Sequence, residues 1–586
     1  MKTLLGLTAS PGICSGKAYV FKAPDLSYDP SSIEDAETEK NRLDEAFRRS
    51  FAELDRIKQT LSGNLGKEYG HIFRAQMTVL EDDDFKREIT DKLDESPCRA
   101  ETAVEETYKM YAELFSQMDD SSCNAQRLAD LNDVCKRLLR NLLGKEEVNL
   151  SALPPESIVI AEELLPSDTA MMDRKHIQGF VTERGGLTSH VAILAKSLSL
   201  PAAVGAAEIT RQAKKNDFIV LDVRDFEAAR IYINPGAAKQ RELEIHKSEY
   251  RKRQENFLKM KDLETVTRDG KKITLSANIG SLDDLANARD LGAKSVGLFR
   301  TEFLFLKGDL PREDEQYGVY AEAAKKLAGG MLIIRTLDIG GDKEVKALNL
   351  RKEENPFLGL RGIRLCFKYE ELFLVQLRAL LRAAVHGDIR IMFPMISSLW
   401  EFRKAGELVT RAAEELKSAG IKHRADPPLG VMVETPAAVF LADELTREAA
   451  FVSIGTNDLT QYILSVDRGN EELGSYYRAF SPAVLRAIGI TARAAEKNGK
   501  WTGICGELAS NPLAIPVLIG LGVSELSVTA SALPQTIAQI RGLDSGLCRK
   551  IAEKIVSMDT EEDVKAYLKS EISPSPGGTP PVYPVP

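Results

Sequence analysis

The second half of this 586-residue chain repeats one pattern, a short apolar run followed by a longer helix-like segment. Eight such units between residues 263 and 570 predict a closed (β/α)8 barrel. Active sites of such barrels lie at the C-terminal ends of the strands, so the polar residues that follow each strand are the ones to examine. The predicted strands end at residues 277–278, 297–299, 333–334, 391–393, 431–433, 452–454, 503–504 and 526–528.

Polar residues follow several of these predicted strands. They are Arg300, Arg335, Lys343, Glu434, Asn457, Asp458, Arg468 and Cys505. Guanidinium groups bind phosphate and carboxylate oxygens bidentately, which suits the three arginines to such a ligand. Glu434 and Asp458 at neighbouring strand ends suit Mg²⁺, which takes one or two protein carboxylates and completes its shell with water and substrate oxygens. The set predicts a site for a small phosphorylated carboxylic acid.

Two interpretations of Cys505 remain open from the residues alone. A cysteine after a buried strand is usually a small apolar core residue. At the mouth of a barrel, however, its thiol could donate a proton to a carbanion or enolate.

A second candidate site is the loop Gly185-Gly186-Leu187-Thr188-Ser189-His190, which precedes an apolar helix-like run. The two glycines permit a tight turn, and Thr188 or Ser189 can cap the helix that follows. Because the N-terminus of a helix favours negative charge, His190 there could accept a phosphoryl group. A turn with a capping serine and an incidental histidine fits the same residues.

Changes in composition divide the chain before the barrel. Strand-like runs in residues 1–30 and 145–235 predict one α/β domain, and 31–144 predicts an inserted all-helical domain whose Met and aromatic residues form its core. Residues 34–144 carry 25 acidic and 17 basic side chains, so most of the net charge of −9 lies there. Residues 236–262 predict a charged helical linker, and the Pro/Gly-rich tail 571–586 predicts disorder.

Composition also excludes several classes of protein. A net charge of −9 argues against non-specific binding of nucleic acid. The longest apolar runs are too short to cross a membrane, and the N-terminus does not fit a signal peptide. Seven scattered cysteines without a CxxC pair favour a reducing, cytoplasmic location over a disulfide framework or a zinc site.

An ordered series of motifs resembles the Enzyme I family of the bacterial phosphoenolpyruvate-dependent sugar phosphotransferase system. The resemblance covers nearly the whole chain. The motifs, in order, are Ala9-Ser-Pro-Gly-Ile13, the Gly-Gly-x-Thr-Ser-His loop, Gly-Leu-Phe-Arg-Thr-Glu302, Asp338-Ile-Gly-Gly-Asp-Lys343, Glu354-Asn-Pro-Phe-Leu-Gly359, Ile391-Met-Phe-Pro-Met395, Val431-Met-Val-Glu-Thr-Pro436, Ser453-Ile-Gly-Thr-Asn-Asp-Leu-Thr460 and Gly503-Ile-Cys-Gly-Glu507.

The resemblance implies a complete reaction. Phosphoenolpyruvate binds the barrel with Mg²⁺, its phosphoryl group passes to Nε2 of His190, and pyruvate leaves. The phosphohistidine then passes the group to the carrier protein HPr, which docks on the helical insertion while the histidine domain swivels. Roles implied by the family are the phosphoryl acceptor His190, the metal ligands Glu434 and Asp458, the proton donor Cys505, and the substrate-binding residues Arg300, Arg335, Lys343, Asn457, Asp458 and Arg468. Family members dimerise through the barrel.

One position departs from the family pattern. Leu187 stands where many members have an arginine that would help to neutralise the phosphohistidine. The related pyruvate phosphate dikinases and phosphoenolpyruvate synthases need an ATP-binding domain, and no Gly-rich nucleotide loop precedes the first motif. A regulatory scaffold with a decayed site is the alternative from a different class, and Leu187 is its only support.

Overall fold

The computed structural model describes most of residues 2–572. The described part does not include 23, 31–34, 65–75, 96–97, 117–120, 146–149, 151–152, 165–167, 169–171, 173–175, 186–191, 193–194, 196–199, 225–227, 306–309, 341–347, 349–352, 469, 471–472 or 573–586, nor the side chains of 58–64, 115–116, 121–127, 129 and 572. The chain forms two compact units, Met1–Arg251 and Lys252–Pro586. Their boundary falls within the helix Ala237–Lys259, which lies in the predicted linker.

The first unit contains a closed barrel of seven strands. In spatial order they are β1 (Lys2–Ser10), β5 (Ala202–Val204), β4 (Ile177–Thr182), β3 (Ser157–Ala161), β2 (Gly12–Val20), β6 (Phe218–Val223) and β7 (Ala229–Ile233). Strands β2 to β5 pair in parallel, and β1, β6 and β7 join them through antiparallel pairs. The α/β character predicted for residues 1–30 and 145–235 is therefore confirmed.

Long helices lie between β2 and β3, as predicted. Their bounds are Ala36–Asn64, Asp83–Glu95, Ala100–Ser116 and Ser121–Leu142, and a short helix Ile209–Gln212 precedes β6. One face of the helices is buried in a shared apolar core that includes Met77 and Leu80. Met110, on the helix Ala100–Ser116, departs from the predicted core of Met and aromatic residues, because it is 40% exposed.

The second unit is the predicted eight-stranded parallel barrel. Its strands are β8 (Thr274–Ile279), β9 (Val296–Phe299), β10 (Leu332–Arg335), β11 (Ile389–Phe393), β12 (Leu429–Val433), β13 (Phe451–Ile454), β14 (Thr502–Ile504) and β15 (Glu525–Val528). Consecutive strands pair in parallel, and β15 closes the barrel against β8. The predicted strand ends agree with these bounds to within about one residue.

Helices surround this barrel and bury one face against the strands. They are Leu282–Asp290, Glu313–Lys326, Ile363–Lys368, Glu370–Ala383, Leu399–Ser418, Pro436–Phe440, Ala442–Glu448, Thr456–Leu464, Pro482–Lys497, Ala514–Gly520, Leu533–Gly542, Ser545–Val556 and Glu561–Ile572. Local capping fixes where several of them begin: Ser398 and Glu401 form a capping box, and Thr435 accepts from the amide of Ala438 just before Pro436. Among the described residues, no helix has both the length and the apolar content to span a membrane.

Candidate active site

The barrel brings most of the predicted site residues to one mouth. Arg335 ends β10, Glu434 directly follows β12, and Cys505 directly follows β14. Asn457 and Asp458 lie in the first turn of the helix Thr456–Leu464, which begins after β13. All eight strands are parallel, so these positions share the C-terminal edge of the barrel.

Arg335 is buried and held by two carboxylates. One terminal nitrogen donates to Oε1 of Glu302 at 2.6 Å, and the other lies 2.9 Å from Oδ2 of Asp338. Its Nε has no hydrogen-bond partner among the described residues. A buried donor without an acceptor costs free energy, so this N–H is suited to an anionic ligand.

Arg361 was not predicted, yet it is among the most deeply buried large side chains of the chain, at 1% exposure. Its guanidinium donates to both oxygens of Asp338, at 3.1 and 3.2 Å, and to Oδ1 of Asp458 at 2.9 Å. Burial alone would lower the pKa of Arg361, but the two carboxylates together raise it. The buried cation therefore holds Asp338 and Asp458 together.

Glu434 is fully buried, and only one of its two carboxyl oxygens accepts a hydrogen bond from a described residue. Oε1 accepts from the amide of Met395 at 2.6 Å, whereas Oε2 has no partner among the described residues. Burial, and then the nearby carboxylates of Asp458 and Asp338, raise the pKa of Glu434 to about 8. A Cβ at position 455 would lie 2.8 Å from Oε2 of Glu434. Because Gly455 has no Cβ, the space next to this oxygen stays open.

Asp458 differs from Glu434 because cations surround it. Burial raises its pKa, but Arg361 and then Arg468 outweigh that effect, and the net pKa is lowered. Its Oδ2 lies 3.6 Å from a terminal nitrogen of Arg468, which is too long for a direct hydrogen bond. Asp458 is therefore ionised, with one oxygen only loosely held.

Two further predicted residues line the same edge. Asn457 is half-buried, and its side-chain oxygen accepts from the amide of Glu507 at 3.0 Å. The side-chain NH₂ of Asn457 makes no hydrogen bond to a residue that the structure describes, so it can donate to a ligand. Arg300 follows β9 and is exposed, with no ion pair to any residue that the structure describes.

Cys505 lies in the barrel interior, 3% exposed. It packs in an apolar cluster with Leu298, Ile333, Met392, Met432 and Phe451. Burial raises the pKa of its thiol to about 12. The thiol thus keeps its proton at neutral pH, which satisfies both open interpretations of this residue: a core cysteine and a proton donor.

The histidine loop lies mostly outside the described residues. Of its predicted members only Gly185 is described, with a φ of 103° that favours glycine. Gly186, Leu187, Thr188, Ser189 and His190 fall outside, and so does Lys343 of the barrel. The interpretation of these residues stays a prediction.

Sequence reasoning missed three residues that orient the site: Glu302, Asp338 and Arg361. Glu302 and Asp338 stand within the quoted motifs but one or more residues beyond the strand ends. Arg361 lies near the far end of the long connection from β10 to the helix Ile363–Lys368, not at a strand end. The only available signal in the sequence was an arginine close to two glycines, in Gly359-Leu-Arg-Gly362. In the structure, Gly362 adopts a φ of 58° that brings this turn to the mouth.

Comparisons with known proteins match the whole length of the chain. Three family models match it in order: PEP-utilising enzyme, N-terminal, over residues 5–126; PEP-utilising enzyme, mobile domain, over 153–225; and PEP-utilising enzyme, PEP-binding domain, over 254–545. The last of these spans every strand of the eight-stranded barrel.

Individual relatives are similar over nearly their full lengths. A phosphoenolpyruvate-protein phosphotransferase of Listeria innocua is 42% identical over 96% of this chain and 98% of its own. One of Bacillus subtilis is 41% identical over 97% of this chain and 99% of its own. An NMR solution structure of Enzyme I is 33% identical, covers 42% of this chain and 99% of its own, and superposes with a TM-score of 0.38.

Proposed function

The chain belongs to the family of phosphoenolpyruvate-protein phosphotransferases, and we propose that it transfers the phosphoryl group of phosphoenolpyruvate through Nε2 of His190 to a carrier protein of the HPr type. This transfer is the first step of the phosphotransferase system for sugar uptake. The barrel mouth is the donor site, and the loop from Gly185 to His190 is the acceptor site. The observation that carries the proposal is the buried cluster of arginines and carboxylates at the mouth.

Phosphoenolpyruvate carries a phosphate and a carboxylate, and the mouth offers cations for both. The Nε of Arg335 has no acceptor within the described part of the chain, and Arg300 is exposed without a described ion pair. Arg468 lies only 3.6 Å from Asp458 and can turn towards an anion. Asn457 supplies a neutral donor, and Lys343 is proposed to bind the substrate with them.

Glu434 and Asp458 fit a divalent cation such as Mg²⁺. The free Oε2 of Glu434 is a buried oxygen without a donor, and Oδ2 of Asp458 is only loosely paired. Two carboxylates and no nitrogen or sulfur donor are a ligand set that Mg²⁺ prefers. Among the described residues no group of three candidate ligands converges, so the remaining positions would be filled by water and substrate oxygens. Bound there, the ion would neutralise charge on the phosphoryl oxygens during transfer.

The chemistry at the substrate divides between His190 and Cys505. As the unprotonated Nε2 of His190 bonds to phosphorus, the bond between phosphorus and the bridging oxygen breaks and leaves the enolate of pyruvate. The thiol of Cys505 then gives its proton to C3 of the enolate, which completes pyruvate and leaves a thiolate. Arg335 and its neighbours hold the carboxylate of the substrate so that C3 faces the thiol.

The remaining proposals concern organisation. We assign residues 1–30 and 145–235 to the phosphohistidine domain, which swivels on the linker 236–262. Residues 31–144 dock the carrier, and 263–570 form the catalytic and dimerisation barrel. The helix Glu561–Ile572 reaches into the predicted tail 571–586, and the rest of that tail lies outside the described residues. The acidic surface of the helical insertion suits a basic face of the carrier.

A homodimer and a cytoplasmic location complete the proposal. Trp400 and Phe440 are 63% and 81% exposed on the second unit, and large apolar side chains so exposed suit contact with a second copy. The proposed cytoplasmic location is supported by the scattered cysteines, of which the six with described side chains are free.

Phosphoryl relay to a carrier tests the proposed function. The full chain is incubated with Mg²⁺, phosphoenolpyruvate labelled on phosphorus and a purified HPr-type protein. Label on a histidine of the carrier, matched by an equal amount of pyruvate, supports the proposal. Pyruvate without labelled carrier would indicate another acceptor, and label taken from ATP instead would indicate a dikinase.

A further inference from the structure

A further buried carboxyl, which the proposed function leaves without a role, lies in the interior of the eight-stranded barrel. Glu525 begins β15 and is 1% exposed. Neither of its carboxyl oxygens has a hydrogen-bond partner of good geometry among the described residues. An ionised carboxylate in this environment would be strongly destabilising, so an acid kept here without a partner calls for an explanation.

The barrel makes room for this carboxyl with two glycines. A Cβ at Gly297 on β9 would collide with Oε1 of Glu525, and a Cβ at Gly503 on β14 would collide with Oε2. Any other residue at either position would displace the carboxyl. The carboxyl of Glu525 on β15 thus lies inside the barrel, between Gly297 on β9 and Gly503 on β14.

Glu525 lies next to the strand that presents Cys505. Gly503 and Cys505 are two residues apart at the end of β14, so both face the interior, and Gly503 pairs directly with Glu525. The charge of ionised Glu525 is among the influences that raise the pKa of the Cys505 thiol, after burial. Ionised Glu525 therefore acts on the thiol of Cys505 across the interior.

Hydroxyl groups surround this pair. The hydroxyl of Ser453 lowers the pKa of the Cys505 thiol. The hydroxyl of Ser276 likewise lowers the pKa of Glu525. Ser527 donates to Asn278 at 2.7 Å, and Asn278 donates in turn to the carbonyl of Cys505 at 3.0 Å. This sector of the interior is polar, in contrast to the apolar side chains on the other side of the thiol. Such a sector with unpartnered oxygens suits an internal water molecule.

We propose that Glu525 is the internal acid that returns a proton to Cys505 after each turnover. The inference rests on the proposed function, in which Cys505 loses its proton to the enolate. The O–H bond of Glu525 breaks, an S–H bond forms on Cys505, and a carboxylate remains. The proton crosses through the hydroxyl of Ser453 or an internal water, and the carboxylate regains a proton from solvent water before the next cycle.

The energetics favour this direction of transfer. Burial raises the pKa of Glu525 to about 8, so the group is protonated at neutral pH, and it raises the pKa of Cys505 to about 12. A proton therefore moves downhill from the carboxyl to the thiolate. The charge of Arg335 lowers the pKa of the Cys505 thiol, and the charge of Glu434 raises it. No charged side chain is among the groups that act on the pKa of Glu525.

Separating the first turnover from later ones tests the proposal. In Glu525→Gln the thiol of Cys505 starts protonated, so a single turnover, followed by rapid quench as label on histidine and pyruvate formed, should stay within about twofold of wild type. Continuous turnover with an excess of carrier protein should fall by about 100-fold, the usual contribution of an acid or base group. Exchange of the pyruvate methyl hydrogens with deuterated water should fall in parallel, because it requires the same proton to cycle.

Two further variants sharpen the outcome. Glu525→Asp keeps an acid and should recover part of the continuous rate, whereas Ser453→Ala should slow it without changing the first turnover. Equal loss in both phases for Glu525→Gln would overturn the proposal and indicate a structural role. Unchanged continuous turnover and unchanged exchange would overturn it as well. Failure of the proposed function gives a different result, because the wild type would then form no labelled histidine or Cys505→Ser would turn over normally.

Discussion

Arg361 lies 2.9 Å from Asp458 through one terminal nitrogen and contacts both oxygens of Asp338 through the rest of its guanidinium. One buried cation thus holds two carboxylates that would otherwise repel each other. Glu434 is the third carboxylate nearby, and its pKa is raised first by burial and then by the charges of Asp458 and Asp338. The arrangement leaves one oxygen of Glu434 and one of Asp458 for a metal.

Replacement of Arg361 with methionine should destabilise the barrel strongly. Loss of one partner from a buried ion pair leaves an uncompensated charge and typically costs about 3–5 kcal/mol. The free energy of unfolding in urea measures this change. Arg403→Met is the matched control, because Arg403 pairs with Glu448 on the surface, where solvent screens the ion pair, and its loss should change stability little. Equal effects of the two variants would contradict the assigned role of Arg361.

Replacement of Glu434 with glutamine should weaken the response to Mg²⁺. Because the free Oε2 would become an amide group, the Mg²⁺ concentration for half-maximal pyruvate formation should rise about tenfold or more. Glu507→Gln serves as the control, since Glu507 also follows β14 closely but is exposed. An unchanged Mg²⁺ dependence in Glu434→Gln would show that the metal, if required, binds elsewhere.

Replacement of Cys505 with serine should slow pyruvate formation without unfolding the barrel. A hydroxyl is a far weaker acid than a thiol, and loss of a general acid typically costs about 100-fold or more. Pyruvate release is followed with a coupled assay. Cys548→Ser changes another buried cysteine, at 1% exposure, and should leave the rate nearly unchanged. A core role for Cys505 predicts instead that the two variants lose stability alike and keep their activity.

Glu525 should make the stability of the barrel depend on pH. The folded carboxyl keeps its proton up to about pH 8, whereas in the unfolded chain it loses it near its ordinary pKa of about 4.3. The folded state therefore binds more protons in this window, and stability should fall as pH rises through it, by up to about 1.4 kcal/mol per pH unit. The free energy of unfolding in urea is measured for wild type and Glu525→Gln between these pH values. The difference between the two proteins isolates the effect of Glu525. A difference that does not change with pH would contradict the raised pKa.

The sequence was informative where one physical pattern determines the structure. Apolar runs bounded by turns located all eight strands of the second barrel, and the positions after them located Arg335, Glu434, Asp458 and Cys505 at one mouth. Parallel strands guarantee this convergence, so no contact had to be known in advance.

Other residues could not be found in this way. Arg361 reaches the mouth from a turn near the far end of the connection after β10, and its place depends on the backbone at Gly362. Glu525 stands at the beginning of a strand, where a charged residue usually faces solvent. Only the closed barrel, with Gly297 and Gly503 opposite it, shows that this carboxyl is inside.

The central claim is that His190 accepts the phosphoryl group, and labelling measures it most directly. With phosphoenolpyruvate labelled on phosphorus and Mg²⁺, wild type should carry one acid-labile, base-stable label per chain, as a phosphohistidine does. His190→Ala should carry none, while His176→Ala, a histidine of the same unit, should label as wild type does. Label on His190→Ala would contradict the account, as would a wild type that takes no label.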